Sequence, residues 1–233
     1  MFERLSVNSS QFFWNLPTII QGYNDTFVMT IGSETAIFTV PEGWYGATSL
    51  AAAMQAAIVA TGGPWTGFTV SYTNYLIKIS NAAAFSVAPP GMESELYETA
   101  GILPGAATGT GPYLSQSTIP SLLPTRYIDI TSAYLTKFQR VKDKSTLPNG
   151  SVSNILARIY AFPSWNSTEW PLGAVTGPHV IRDDFSMPKI LAWNRDESLT
   201  NFDITLYDEY GRILPWKPEW GCEYQLGLSA SET

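Results

Sequence analysis

A chain of 233 residues with 45% hydrophobic and 13% aromatic content has the apolar material for one sizeable core or two small ones. Twenty acidic residues against 13 basic ones give a net charge of −7 and a pI near 4.7, which argues against a surface that displaces counterions from nucleic-acid phosphate. Charged residues make up only 14%, where about a quarter is usual, so partners are expected to cover part of the exterior; a neutral β-sandwich showing Thr, Ser and Asn to water is the plainer reading.

In chain order, the start MFERLSVNSSQFFWNLP lacks the apolar run of a signal peptide, and Met1-Phe2 is no myristoylation start. Phe12 to Gln21 reads as extended, with Pro17 setting it at an edge or a kink. Phe27, Met29 and Ile31 alternate, Gly32-Ser33 turns the chain, and Ile37 to Val40 returns. The stretch from Val40 to Asn81 is the most structured cassette. A Pro-Glu-Gly turn leads into a helix that Thr48 or Ser49 is placed to cap, with Leu50, Met54, Ala57 and Ile58 as its apolar stripe and Gly62-Gly63 as its stop. The period then drops to two: Phe68, Val70 and Tyr72 form one face of a strand, and Tyr75, Ile77 and Ile79 that of its hairpin partner.

Glu93 to Ala100 reads as a second short helix ended by Gly101. Residues 101–125 are broken by Gly and Pro and predict a long loop, of the kind that is functional or mobile once it exceeds roughly 12–15 residues. Strands resume over Arg126–Leu135. Pro148-Asn149-Gly150 is a hairpin turn, because Asn and Gly tolerate positive φ. Ile155–Phe162, an aromatic loop at 163–176, and strands at Val180–Phe185, Lys189–Trp193, Phe202–Tyr207 and Tyr224–Leu228 complete the chain. About ten short strands and two brief helices without an internal repeat predict an all-β chain, a single jelly-roll β-sandwich over 1–233 with two short helices inserted between strands.

The cassette's order of elements resembles the single jelly-roll penton and minor capsid proteins of double-jelly-roll-lineage DNA viruses, among them virophages and polinton-like viruses. Pro41, Gly43 and Tyr45 match their P-x-G-x-Y turn, Leu50 to Ala60 their short helix, and Phe68 to Ser80 their hairpin. Ser94 to Leu103 matches the segment that follows, and Phe202 to Leu214, with Asp208, Gly211 and Leu214 as D-x-x-G-x-x-L, the closing strand and turn. Between 104 and 200 the likeness is one of strand rhythm, and the tryptophans after Pro163 have no counterpart in it. The resemblance implies a structural virion protein, a homopentamer at the icosahedral vertices. Its partners would be a double-jelly-roll major capsid protein and other minor capsid proteins. A carbohydrate-binding β-sandwich for host attachment is the alternative, and another cement protein a further one.

A reaction centre is hard to assemble from these residues. His179 is the sole histidine and opens a strand, so a triad has no second candidate for its base, and no enzyme is expected. One His and a single Cys, Cys222, lie too far apart for a zinc set, and Cys222 has no partner for an intrachain disulfide, which suits assembly in the cytoplasm. Gly109-Thr110-Gly111 opens like a dinucleotide loop, but Pro112 follows and Leu114 takes the third glycine's place. Asp183 and Asp184, adjacent on a strand, point to opposite faces. No cofactor or metal is expected. Lys137, Arg140, Lys142 and Lys144 read as a solvated hairpin tip or as a docking spot for a neighbour's acidic groups, and no window holds the ~20 apolar residues of a membrane span.

Of eight tryptophans, Trp165, Trp170, Trp216 and Trp220 lie in Pro-, Gly- or Asn-rich stretches. They are the candidate subunit interface, since tryptophan anchors contacts by desolvating a large area. Folding back over the sandwich ends is an equal reading. Sugar-stacking platforms of a lectin, with Asp or Asn nearby for hydroxyls, rank well below, and a glycosidase using a carboxylate pair such as Glu169 and Glu219 ranks last.

Overall fold

The computed structural model describes residues 4–87, 95–137, 154–161, 179–194 and 202–231. In chain order its strands are β1 (Arg4–Trp14), β2 (Thr26–Ile31), β3 (Glu34–Thr39), β4 (Thr69–Thr73), β5 (Leu76–Asn81), β6 (Phe85–Val87), β7 (Gly105–Ala106), β8 (Tyr113–Leu114), β9 (Tyr127–Thr131), β10 (Ile155–Tyr160), β11 (His179–Ala192), β12 (Thr205–Tyr207) and β13 (Glu223–Ser231). Two α-helices, α1 (Ala47–Ala60) and α2 (Glu95–Ala100), lie between strands. Among the described residues the chain is all-β with two short inserted helices, as its strand rhythm predicts. It gathers into two compact units, one from residues 16–124 and one from 4–15 with the described residues beyond 125.

In the unit of residues 16–124, the sheets β3-β2-β6-β7 and β4-β5-β8 share one core with α1. A line of rings runs through it, Phe27, Phe38, Trp65, Phe68 and Phe85, with successive centroids 5.1, 5.0, 5.5 and 5.0 Å apart. Helix α1 lays Leu50, Met54 and Ile58 on this core, fully buried, with Ala57 at the margin. Its start differs from expectation. Gly46 is the N-cap, so Thr48 and Ser49 fall inside the first turn, and the Ser49 hydroxyl donates back to the Gly46 carbonyl at 3.0 Å instead of capping.

The P-x-G-x-Y turn has a physical reading. The Tyr45 hydroxyl donates to the Pro41 carbonyl at 2.9 Å, which folds the ring back over Gly43. A Cβ at Gly43 would stand 3.2 Å from that ring, tighter than nine in ten such contacts, so the ring would have to give by a few tenths of an ångström. The stretch at 101–125 is not the structureless loop that its composition suggests. It contributes β7 to one sheet and β8 to the other, and isolated bridges join Ile102 to Ser117 and Thr108 to Leu114. Gly101, at φ +67°, ends α2 as expected, and a Cβ there would meet the Thr118 carbonyl at 2.4 Å.

The other unit stacks two three-stranded sheets, β11-β1-β13 and β10-β9-β12, across Leu5, Val7, Leu156, Leu191 and Trp193. Strand β1 starts well before Phe12 and ends at Trp14; the expected strands at 180–185 and 189–193 fall in one strand, β11, which pairs with β1 over 179–184 and 189–192. A register shift between Val7 and Ser9 lets β1 follow both neighbours. Arg158 and Asp129 face each other across β9 and β10 and form a two-pronged ion pair at 2.6 and 2.8 Å. The entry to β12 is tied down by Asp203. Its carboxylate accepts from the Ser132 hydroxyl at 2.9 Å and from the backbone N–H groups of Ala133 and Tyr134 at 2.9 and 2.8 Å.

Two expected outcomes follow from this packing. Ile58→Ala should cost about 2–5 kcal/mol in denaturant unfolding, the range for truncating a buried aliphatic side chain, whereas the exposed neighbour Val59→Ala should cost under about 0.5 kcal/mol. Equal costs would show that the stripe faces water.

The second concerns pH. Burial pushes the Asp203 carboxyl up, but the Tyr134, Ala133 and Ser132 donors outweigh it and hold the group below the ordinary carboxylate range. A depressed native value adds stability above the unfolded value, near 3.9, and that stability is lost as pH falls through the native one. The melting-temperature gap between wild type and Asp203→Asn should therefore be widest near neutrality and close below about pH 4. A gap that does not change with pH would remove the carboxylate from this role.

Candidate subunit interface

The structure separates the four tryptophans. Trp220 is 2% exposed, in a 3-10 turn over Pro218–Trp220, and its carbonyl accepts from the Asn15 amide at 2.5 Å. Its indole is core, so it has no free area to give a neighbour. Trp216 is 40% exposed and meets the buried Phe12 ring edge-on at 5.6 Å, so one face is packed and the other is open. Trp165 and Trp170 lie outside the described residues.

Trp216 closes a segment of the chain with several exposed apolar side chains. Phe202, Ile204, Tyr210 and Ile213, the last 64% exposed, crowd with it into the segment 202–216. The charged side chains of the segment are engaged within their own unit. Asp203 clamps residues 132–134. The buried Asp208 carboxylate accepts from the backbone N–H groups of Tyr210 and Arg212 at 2.9 and 2.7 Å and from the Arg212 guanidinium at 2.8 Å. Glu209 accepts from the Arg126 N–H at 2.8 Å. Gly211, at φ +76°, closes this turn, which is the D-x-x-G-x-x-L pattern seen in the sequence. Besides the exposed Asp203, what faces outward from the segment is mostly apolar. That is the composition of an interface core, depleted of charge and enriched in aromatic rings.

The remaining candidates carry no reaction centre in the described residues. No group of three or more His, Cys, Asp or Glu there could hold a metal ion. His179 starts β11 opposite Trp14, with its side chain outside the described set. Cys222 is buried, and burial pushes its thiol up, away from the reactive thiolate. The Asp184 carboxylate pairs with Arg182 at 3.1 Å on an exposed face, and nothing is described of the Asp183 side chain. Gly109 to Pro112 is a turn between β7 and β8, with no helix after it to cradle a phosphate. Lys137 lies over the Tyr134 ring at 3.7 Å; Arg140, Lys142 and Lys144 fall outside the described residues, as does Glu169. Glu219 sits in the 3-10 turn beside Trp220. No helix among the described residues is long and apolar enough to cross a membrane.

No family model and no curated protein matches the sequence. Among solved structures the chain is similar to the mavirus penton protein, at 12% identity and a TM-score of 0.50, over 97% of this chain and 84% of that one. The match is one of fold. It agrees with the all-β jelly-roll sandwich read from the strand rhythm.

Denaturation should separate the two described tryptophans. Trp220→Ala removes a buried ring and should cost about 3–5 kcal/mol, whereas Trp216→Ala should cost about 0.5–1.5 kcal/mol, the worth of one aromatic contact. Similar costs would place both rings in the core.

Proposed function

We propose that this chain is a structural subunit of a viral capsid, a penton protein that forms a homopentamer at the icosahedral vertices. The single observation that supports this most is the fold shared with the mavirus penton protein along nearly the whole chain. The apolar segment 202–216, with its charges engaged internally, adds a surface suited to burial against a neighbour. The two units act together as one subunit over 1–233. Its place is the virion vertex, and its partners are sister copies, a double-jelly-roll major capsid protein and other minor capsid proteins.

The mechanism is geometric rather than chemical. Each copy meets the next head to tail, and a rotation of one fifth of a turn closes the ring. A standard contact buries roughly 1,600 Å² in total, and a ring gives each subunit two such contacts. A surface poor in charge lowers the desolvation cost of that burial.

Co-expression with the major capsid protein of the same particle, followed by sedimentation, tests the reading. The wild-type chain should travel with assembled shells. Ile213→Ser with Trp216→Ala should lower incorporation at least tenfold, as expected for anchors worth more than about 1.4 kcal/mol. The free double mutant should still give a cooperative melting curve. A wild-type chain absent from shells, monomeric and bound to a glycan array, would replace the capsid role with carbohydrate attachment.

A further inference from the structure

The outer face of the sheet β11-β1-β13 carries a polar recess of about 230 Å³, and strand register explains its place. Along β1, Ser10, Phe12 and Trp14 turn inward and are buried, while Ser9, Gln11 and Phe13 turn outward and are half-buried. Register sets the outward side chains in cross-strand rows. Arg182, Gln11 and Gln225 form one row, Asp184, Ser9 and Gly227 the next, and Val180, Phe13 and Glu223 the row on the other side. Gly227 brings no side chain, so its row is hollow at that end, and a Cβ there would overlap the Ser9 hydroxyl. The register shift between Val7 and Ser9 borders the hollow, and such bulges re-aim side chains beside sites.

The hydrogen-bonding groups of the recess are unengaged. Ser9, Gln11 and Gln225 make no side-chain hydrogen bond among the described residues. Ser10 also lines the recess, and its hydroxyl, 1% exposed, has no partner. A buried hydroxyl left so is costly unless a ligand or a water completes it.

The chemistry of these groups selects the ligand. Arg182 is the one cation of the recess, and its Nε donates to both carboxylate oxygens of Asp184 at 3.1 and 3.2 Å, which leaves no net charge to hold an anion. The middle strand β1 has its backbone groups taken by β11 and β13, so an extended peptide has no ladder to join here. What the face offers is two carboxamides and a hydroxyl, each donor and acceptor at once, and a sugar hydroxyl has the same dual character. Gln11 and Gln225 stand on adjacent strands, about 4.8 Å apart, within the width of one pyranose ring. The half-buried Phe13 ring beside them gives the C–H face of a sugar a surface to lie on. A volume below the roughly 300–1,000 Å³ of drug-sized pockets suits one ring of a longer chain.

We propose that this face binds a neutral saccharide, one ring of which sits on Ser9, Gln11 and Gln225, with the Arg182–Asp184 pair meeting further hydroxyls. The site uses none of the four tryptophans, and it does not rest on the capsid reading.

Binding of the full chain to an array of neutral oligosaccharides, with sialylated and sulfated ones alongside, tests the proposal. At least one neutral glycan should be retained. Gln225→Ala, at an exposed position, should weaken that binding about threefold, and adding Gln11→Ala should bring the loss to at least tenfold. Both variants should keep the melting temperature within about 2 °C of wild type. Trp216→Ala should leave the glycan bound as before. A chain that retains no neutral glycan, or only anionic ones, would overturn the proposal. So would binding that survives the double substitution or is lost with Trp216→Ala. The double mutant should still enter shells, so failure of the saccharide site and failure of the capsid role are read in separate assays.

Discussion

Sheets of three or four short strands have nearly as much edge as interior, and every buried edge group needs a partner. In the unit of residues 16–124, side chains from outside the sheets supply those partners. Gln55 on α1 donates to the Phe68 carbonyl at 2.8 Å and accepts from the Val70 N–H, so the free edge of β4 is paired by a helix. Beside the last β2–β6 pair, Met29 with Val87, the Tyr97 hydroxyl of α2 accepts from the Val28 N–H at 2.5 Å and donates to its carbonyl. The buried Asn24 accepts from the Ile20 N–H at 2.7 Å and donates to the Thr18 carbonyl and the Thr99 hydroxyl at 2.9 and 3.2 Å. The two helices are thus more than apolar lids. They complete ladders that strands this short cannot complete, above the ring-lined core.

Charge is handled with the same economy. The Arg158–Asp129 pair, the Asp208–Arg212 turn and the Asp203 clamp are built within single elements or between adjacent ones. The Asp129 hydrogen bond raises the Arg158 guanidinium further above its already high value, and the same group lies 4.1 Å from the Tyr127 ring centre. Of these carboxylates, those of Asp129 and Asp208 are buried and do not solvate the surface. The low charged fraction and the exposed apolar segment at 202–216 are therefore two sides of one arrangement.

Much of this was legible beforehand where the physics is local. Pro41, Gly43 and Tyr45 are singled out by resemblance to the P-x-G-x-Y turn, and the structure adds the Tyr45 hydroxyl bond to the Pro41 carbonyl. The stripe of Leu50, Met54 and Ile58 needed only helical spacing. The helix cap was missed by about one turn because Gly46 takes the extended conformation that Thr48 and Ser49 also suit. The loop at 101–125 was misread because two-residue strands leave no periodicity, and their pairing with β6 and β5 is a long-range matter.

By itself, then, the sequence determined the all-β class, the two helices, the glycine stop at 101 and the lack of an intrachain disulfide, since each depends on local periodicity or on one residue's own conformational or covalent chemistry. Only the tertiary structure decided that the chain forms two units, that Trp220 is core while Trp216 is half open, and that Tyr75 sits in a turn rather than a strand. Those outcomes depend on which surfaces meet across tens of residues. Indole rings alike in composition and flanking residues differ only in what the folded chain brings against them.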